Sequence, residues 1–225
     1  MDTELLGSQL SSVLSACRIK DLGVIGYQEA YALQRDLASQ VAAGGLPTLL
    51  LCEHLCVVTL GRMSHDENIL LPKEAILKNN IAIHAIDRGG DVTLHSPGQL
   101  VAYPIFNLKN FGKDLKKYLN KLEQVVIDLL NEFDIVGTRL PGHTGVWVGK
   151  KKIASLGIGV KKWVAFHGVS VNVSNHLELF SMIRPCGLDV EVTSIEENIQ
   201  SSVKMDLVKT LILKSFQENF DLKFV

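Results

Sequence analysis

The chain has 225 residues, of which 47% are hydrophobic, and its 23 basic and 24 acidic residues give a formal net charge of -1. Such a chain can bury a substantial core, and we expect a single domain over residues 1–225. The balanced charge excludes a global field for nucleic acid or an anionic membrane, so any charged partner has to be met by a local patch.

Cysteine usage and the N-terminus bear on the compartment. Four cysteines are too few for a disulfide scaffold in a chain of this size, which favours a reducing environment. Residues 1–16 contain no basic residue and no long apolar run, which fits neither a secretory signal nor an Arg-rich transit peptide. No apolar run approaches transmembrane length, so we expect a soluble cytoplasmic protein.

The hydrophobic periodicity predicts an α/β (α+β) fold in which helices flank a mixed, largely antiparallel sheet. In chain order we predict a short edge strand over 19–23, a helix over 27–41, a buried strand over 48–60 interrupted at Glu53-His54, a short helix over 72–78, strands over 81–87 and 100–106, a helix over about 113–133, strands over 146–148, 152–160 and 163–173, and a C-terminal helix containing 207–216.

A glycine-rich loop, Arg88 to Gln99, lies between two predicted strands. It contains neither G-x-G-x-x-G nor the P-loop pattern, and its strand-loop-strand setting suits neither motif. Its glycines have one of two roles. Either they let backbone N–H groups approach a ligand, with Arg88 and His95 as polar anchors, or they only permit the backbone dihedral angles that a long turn requires. The residues alone leave both interpretations open.

The strands over 152–160 and 163–173 are predicted to form a hairpin. With the turn centred on Lys161-Lys162, Leu156 lies opposite His167, and the segment 155–157 lies beside His167-Gly168. A slip of one or two residues would keep the same segments together, since Lys-Lys is a poor two-residue turn.

A thiol stands between a proline and a glycine in Pro185-Cys186-Gly187. Pro185 restricts the backbone before the turn and Gly187 can adopt positive φ, which favours a sharp turn that displays the Cys186 side chain. The alternative is an ordinary turn that contains a small apolar residue, since free cysteine is usually buried.

Lys152 is predicted to begin a strand directly after the turn residues Lys150-Lys151. A lysine there can point back toward a pocket, where it would favour the thiolate of a nearby cysteine, or it can belong to a solvated hairpin tip. Cys52, His54 and Cys56 would share one face of a strand, but no fourth ligand is in view, so we predict no metal site.

Five motifs follow one another along the chain: R-G-G-D-V-T-L-H-S-P-G-Q-L-V-A-Y-P from Arg88, G-V-W-V from Gly145, K-I-A-S-L-G from Lys152, H-G from His167 and P-C-G from Pro185. In this combination the chain resembles the lipoyl(octanoyl) transferases. It departs from the family pattern at Leu94, where tyrosine is usual, and at Ser96, where glycine is usual. Acyl-chain preference is the property that these two changes would affect.

The resemblance implies transfer of an octanoyl group from octanoyl-acyl carrier protein to a lysine of a lipoyl domain, through a thioester on Cys186 with Lys152 as its partner. The acceptors it implies are the lipoyl domains of 2-oxoacid dehydrogenase complexes and the glycine cleavage H protein. It implies the fold of the biotin and lipoate protein ligases, without a metal, nucleotide or other cofactor. The substrate-binding residues it implies are Arg88, Gly89, Gly90, Asp91, Val92, Thr93, Leu94, His95, Ser155, Leu156, Gly157, His167, Gly168 and Val169.

Three alternatives remain at this stage. An ATP-dependent lipoate or biotin ligase of similar fold would need groups for a triphosphate and would have no use for a displayed Cys186. A cysteine hydrolase would pair Cys186 with His143 or His167 and release free acid. A catalytically inactive relative would only bind acyl carrier protein. For docking of that acidic carrier, the pair Lys150-Lys151 is favoured over Lys161-Lys162 because Lys152 adjoins it.

Overall fold

The computed structural model describes residues 15–187 and 190–225, except for the side chain of Cys186, so the expectation about residues 1–16 falls mostly outside it. The strands are β1 (Ser15–Ile25), β2 (Thr48–His54), β3 (Val57–Leu60), β4 (Ala82–Ala85), β5 (Val92–His95), β6 (Gln99–Ile105), β7 (Thr138–Leu140), β8 (His143–Val148), β9 (Lys151–Lys161), β10 (Val164–Asn172) and β11 (Leu222–Phe224). The helices are α1 (Tyr27–Ala42), α2 (Lys73–Lys78), α3 (Leu115–Asn131), α4 (Ile195–Ile199) and α5 (Met205–Phe220), with short 3-10 turns between them.

The described strands form two sheets. One has the order β11-β1-β2-β6-β10-β9-β8-β7 and the other has the order β4-β3-β5. The pairs β1–β11, β1–β2 and β3–β4 are parallel, and the other pairs are antiparallel. The predicted fold class, a mixed and largely antiparallel sheet with flanking helices, is confirmed.

The two faces of the large sheet bury different cores. On one face, α3 and α5 contribute fully buried residues such as Leu129 and Phe216. On the other face, α1 buries Leu37 and Val41. A third core lies beneath the small sheet and includes Val58. Within the described residues, no helix is both long and apolar enough to cross a bilayer.

The long helices lie close to their predicted positions because their apolar residues recur at helical spacing. The start of α3 is fixed by Asp114, whose side chain accepts a hydrogen bond of 3.0 Å from the backbone N–H of Lys117. This is the arrangement of a helix N-cap, in which a carboxylate satisfies an otherwise unpaired amide.

Two predicted strands differ from the structure. The strand over 19–23 is longer, Ser15–Ile25, and is not an edge strand, because the C-terminal residues Leu222–Phe224 pair along its outer side. The segment 48–60 is divided after His54 into β2 and β3, which join different sheets. The divided segment therefore connects the large sheet to the small one.

The glycine-rich segment is not a continuous loop, because β5 (Val92–His95) lies within it and pairs with β3. All four residues of β5 are buried. Their side chains alternate between the two faces of the strand. Val92 and Leu94 face the core of the small sheet, which leaves Thr93 and His95 to face the large sheet.

The hairpin register is shifted by two residues from the prediction. Lys162 and Trp163 form the turn with φ values of 51° and 65°, and Leu156 pairs with Val169 rather than His167. Two positive φ values are the requirement of the two-residue turn that matches strand twist. Gly157 pairs with Gly168, so the two segments are neighbours as predicted.

Candidate active site

The outer edge of β9 is shared between β8 and the glycine-rich loop. β8 pairs with β9 over Lys151 to Ala154 only. Farther along, the backbone N–H of Gly89 donates to the carbonyl of Ile158 at 2.8 Å, so the loop continues the edge. Between the two partners, the sheet has a gap beside Ser155 to Gly157.

A pocket, here called the inner pocket, lies on the α1 side of this gap and has a cavity volume of about 30 Å³. The predicted substrate-binding residues that line it are Arg88, Thr93, His95, Ser155, Leu156, Gly157, His167, Gly168 and Val169.

Sequence analysis missed four residues of this pocket, which are Tyr27, Val101, Tyr103 and Ser170. Ser170 could have been found, because it is two residues after Gly168 on the same face of a strand. Val101 and Tyr103 are likewise two apart on β6. Nothing in the local sequence marks Tyr27, which the first turn of α1 brings to the site.

The paired glycines allow backbone segments to meet at the pocket. A Cβ on Gly168 would lie 2.2 Å from the carbonyl oxygen of Ala102, and one on Gly157 would lie 2.8 Å from that of Gly89. Any side chain at either position would therefore push apart the strands or the loop.

A second pocket, here called the outer pocket, adjoins the first and has a volume of about 480 Å³. It shares Leu156 and Gly157 with the inner pocket and reaches Leu119 of α3. Three further predicted residues line it, namely Gly89, Gly90 and Asp91. Val92 and Leu94, in contrast, are fully buried in the core of the small sheet.

Arg88 holds the glycine-rich loop against β3. Its guanidinium donates to the carbonyl and the hydroxyl of Thr59, at 2.8 Å and 3.0 Å, and to the carbonyl of Gly89 at 3.1 Å. The side chain is 7% exposed. Arg88 thus fixes the wall that the two pockets share.

His167 is buried and held in one orientation. Its Nε2 lies 3.0 Å from a carboxylate oxygen of Asp87, its Nδ1 lies 3.5 Å from the hydroxyl of Tyr27, and its backbone N–H donates to Gln34. Because Nε2 donates to the carboxylate, Nδ1 is the acceptor in the neutral ring. Burial lowers the pKa of His167 to about 4, although Asp87 opposes this shift.

His95 is buried as well and forms another wall of the inner pocket. Its Nδ1 lies 2.7 Å from the side-chain oxygen of Gln99, and its ring stacks on Tyr27. Burial lowers the pKa of His95 to about 3. Both pocket histidines are therefore neutral near pH 7.

Lys152 is 1% exposed and passes through a slot in β8. Its Cε lies 2.7 Å from the position that a Cβ on Gly145 would occupy, and its Nζ lies 5.5 Å from the ring centroid of Trp147. The N–H of Gly145 donates to Glu123 at 3.1 Å, and Arg139 donates to the other oxygen of that carboxylate. Helix α3 thereby fixes the wall of the slot.

The backbone turn Pro185–Gly187 lies against the start of β5. The predicted positive φ of Gly187 is confirmed at 71°, and a Cβ there would lie 2.9 Å from a carboxylate oxygen of Asp91. Asp91 also accepts from the amide of Asn68, whose carbonyl accepts from the N–H of Arg184. The position of the Cys186 sulfur lies outside the described atoms.

The chain that follows this turn returns to Lys152. The N–H of Lys152 donates to the carbonyl of Glu191 at 2.8 Å, and the N–H of Thr193 donates to the carbonyl of Lys152 at 2.9 Å. Hydrogen bonds thus hold the backbone on both sides of position 186. Before it, Arg184 is linked to Asp91 through Asn68, and after it, Glu191 and Thr193 are bonded to Lys152.

His54 uses both ring nitrogens in hydrogen bonds within the fold. Nδ1 lies 3.0 Å from the carbonyl of Ile25, and Nε2 lies 2.7 Å from the hydroxyl of Tyr103. Among the described residues, no group of three or more His, Cys, Asp or Glu side chains is arranged to hold a metal ion.

The chain is similar to known proteins along most of its length. The lipoyl protein ligase A/B catalytic domain matches residues 26–217. The octanoyltransferase of Syntrophotalea carbinolica is 46% identical over 201 residues, which cover 88% of this chain and 92% of that protein. The octanoyltransferase of Caldicellulosiruptor saccharolyticus is 45% identical over 207 residues, which cover 90% and 88%.

Solved structures share the fold at low sequence identity. A putative lipoate protein ligase from T. acidophilum with bound lipoic acid has a TM-score of 0.71 at 18% identity, covering 93% of this chain and 88% of that one. The biotin protein ligase of Aquifex aeolicus has a TM-score of 0.51 at 16% identity, covering 92% and 70%. The chain therefore belongs to the lipoyl protein ligase A/B catalytic domain family and, like its octanoyltransferase relatives, is an acyltransferase of protein lipoylation.

Proposed function

We propose that residues 1–225 act as one catalytic domain that transfers an octanoyl group from octanoyl-acyl carrier protein to a lysine of lipoyl domains, through a thioester on Cys186. The observation that carries this proposal is the backbone connection between the Pro185–Gly187 turn and Lys152, made through Glu191 and Thr193. It brings the segment that bears the proposed nucleophile to the backbone of a lysine whose side chain is buried.

In the first half-reaction, Lys152 favours the Cys186 thiolate, which attacks the carbonyl carbon of the incoming thioester. The tetrahedral intermediate collapses as the bond to the carrier's thiol breaks, and Lys152 protonates that thiol. One thioester is exchanged for another. The octanoyl group is then held on Cys186.

In the second half-reaction, the neutral amine of the acceptor lysine attacks the acyl-enzyme. An amide forms, the bond to the Cys186 sulfur breaks, and the proton lost by the amine returns to the thiolate through Lys152. This step requires Lys152 to release and accept a proton in turn. Lys152 is suited to this step by its position, because it is 1% exposed and its Nζ is held 5.5 Å from the ring centroid of Trp147.

The tetrahedral oxyanion needs hydrogen-bond donors in the gap of the sheet. The carbonyls of Ala154 and Ile158 face that edge of β9, where they meet Gly145 and Gly89. Backbone groups of alternate strand residues face the same side, so the N–H of Leu156 faces the gap as well. We assign it as one oxyanion donor, with backbone N–H groups near Cys186 as others.

The inner pocket suits the acyl chain. Val101, Leu156 and Val169 supply apolar walls, and Tyr27 and Tyr103 supply aromatic surface. Burying a methylene group in such a site contributes about 0.8 kcal/mol. The hydrophobic effect thus favours a fatty acyl group over a polar one.

An ATP-dependent ligase is the alternative enzyme. Lipoate and biotin ligases share the fold at 16–18% identity, which carries no argument beyond the fold. The relatives at 45–46% identity are octanoyltransferases, and this favours transfer without ATP.

A cysteine hydrolase is the second alternative. Its general base would have to be His167 or His143. Both ring nitrogens of His167 are engaged, by Asp87 and Tyr27, and this disfavours it as the base. His143 is exposed at the start of β8 and remains open to direct test.

The test combines the purified protein with octanoyl-acyl carrier protein and an apo lipoyl domain, in the absence of ATP. Mass spectrometry should show one octanoyl group added to the lipoyl domain. A requirement for ATP would support the ligase, and release of octanoic acid without modification of the lipoyl domain would support the hydrolase. The free thiols of Cys17, Cys52 and Cys56 support a reducing compartment such as the cytoplasm as the site of this reaction.

A further inference from the structure

The two grooves beside the Pro185–Gly187 turn differ in charge. The outer pocket is lined mainly by glycines and apolar residues, with His65, His143 and one carboxylate, Asp91, which accepts a hydrogen bond from Asn68. On the other side of the turn, a groove of about 590 Å³ is lined by three carboxylates, those of Glu178, Glu191 and Glu197, and by one cation, Arg184. An acidic partner would be repelled from this acidic groove.

The first turn of α3 forms part of the rim of the outer pocket. Leu119 lines the pocket, and residues three and four positions earlier on a helix lie on the same face. These residues are Lys116, which is exposed, and Leu115, which is 44% exposed. The rim also exposes Leu140 at 44% and Met63 at 63%.

The lysine of this rim keeps its charge available to a partner. Lys116 is exposed and makes no ion pair with any residue that the structure describes. The nearest carboxylate along the chain is Asp114, which caps α3. The rim therefore combines exposed apolar side chains with an exposed positive charge.

The lysine pair favoured by the sequence is less suitable. Lys151 forms ion pairs with Glu197 at 3.0 Å and with Glu191 at 3.5 Å. These carboxylates belong to the acidic groove and cancel the charge of Lys151. The pair Lys150-Lys151 is thus not the basic patch that an acidic carrier needs.

We infer that the acyl donor is delivered by an acidic carrier protein that docks on the α3 rim, defined as Met63, Leu115, Lys116 and Leu140. This inference deepens the proposed function and rests on it. The pantetheine arm passes through the outer pocket, and the thioester reaches the gap beside Leu156 and Gly157, where the two pockets meet. Complementary charge speeds such an encounter, and an apolar centre stabilises it.

The test variant is Lys116→Glu. Its matched control is Lys223→Glu, because this lysine is exposed on β11 at the opposite edge of the large sheet. Each enzyme is assayed with octanoyl-acyl carrier protein and with octanoyl-pantetheine, a donor that has no protein surface. Binding of acyl-free holo-carrier protein is titrated separately by calorimetry.

With the rim variant, we expect KM for the protein donor to rise about tenfold and carrier binding to weaken to a similar degree, while kcat/KM for octanoyl-pantetheine is unchanged. The control should match the unmodified protein with both donors. Raising the salt concentration should narrow the difference between unmodified protein and rim variant, because exposed charges are screened.

Equal KM values for the protein donor in the rim variant and the unmodified protein would overturn the inference. Equal loss in the rim variant and the control, or with both donors, would overturn it too. The proposed function fails separately, if the unmodified protein is acylated by neither donor, and the calorimetric titration then still decides whether the rim binds the carrier.

Discussion

The Cε of Lys152 lies 2.7 Å from the point that a Cβ on Gly145 would occupy, and its Nζ lies 3.3 Å from the same point. The φ of Gly145 is 141°, which side chains rarely tolerate. A glycine at this position thus meets two requirements. It adopts the φ that the backbone of β8 has here, and it leaves room for the lysine side chain.

Gly145→Ala should therefore displace Lys152. We expect octanoyl transfer to fall at least about tenfold, and the free energy of unfolding to fall by about 1–3 kcal/mol from backbone strain. The matched control is Gly44→Ala, which has a φ of 98° but no atom within 4 Å of its added Cβ and lies at the end of α1, away from both pockets. Similar strain with full activity is expected there. Equal loss of activity in both variants would show that the slot around Lys152 is not the cause.

Acyl-chain preference should not depend on Leu94, although the sequence departs from the family pattern there. Leu94 is fully buried in the core of the small sheet. Leu94→Ala should lower the free energy of unfolding by about 2–5 kcal/mol without changing the preference among hexanoyl, octanoyl and decanoyl donors. Val101→Leu places a larger side chain in the wall of the inner pocket and leaves less room there, so it should shift the preference toward the shorter chain. Competition assays with mixed donors measure both, and a changed preference in Leu94→Ala alone would contradict the assignment.

The stability of the protein should fall as the pH falls below about 6.5. His54, His95 and His167 all have a lowered pKa because they are buried. The unfolded chain takes up these protons near the ordinary value of 6.5, whereas folded His167 does so only at about 4 and folded His95 at about 3. The unfolded state thus binds more protons in this window, and stability rises with pH across it.

Urea unfolding at about pH 7.5 and about pH 5 measures this dependence. His167→Asn should reduce the difference between the two midpoints, because one of the buried titrating groups is removed. Asparagine is suitable because it tolerates positive φ, which is 57° at this position. A midpoint that is independent of pH in the unmodified protein would contradict the burial of neutral histidines.

Much of the fold could be predicted because its longest elements carry their own periodicity. Helices α1, α3 and α5 and the hairpin of β9 and β10 follow from the spacing of apolar residues. The short strands β5 and β11 were not predicted, because three or four residues are too few to show a periodic pattern and their partner strands are distant in sequence. The hairpin register was not predicted correctly because neither turn residue, Lys162 or Trp163, is a glycine or asparagine, the residues that usually indicate positive φ.

The residues of the candidate site were likewise predictable only where a local motif marks them. Motifs predicted the segments that line the pockets, and the structure brings Arg88, Ser155 and His167 together in one of them. Tyr27 and Tyr103 could not be predicted, because each enters the site through helix or sheet packing rather than through a local pattern. The burial of Leu94 in the core of the small sheet was not predicted either, because it depends on the strand alternation of β5.

Lys152 should affect both half-reactions. Lys152→Ala should slow acylation and transfer, and Lys152→Arg should restore acylation in part, because the positive charge is kept. The arginine should not restore transfer, since guanidinium does not give up its proton. Single-turnover assays of each half-reaction separate the two. If Lys152→Ala turns over normally while His143→Ala or His167→Ala abolishes activity, a Cys-His pair performs the chemistry instead.

The thioester on Cys186 is tested by the mass of the enzyme after exposure to the octanoyl donor alone, without ATP or acceptor. We expect one octanoyl group per chain, removed by hydroxylamine, located on the peptide that contains Cys186 and absent from Cys186→Ser. The other cysteines are internal controls, because burial raises the pKa of Cys17 and of Cys52 to about 12 and keeps these thiols protonated. Equal octanoylation of Cys56, or an adduct that persists in Cys186→Ser, would contradict the account.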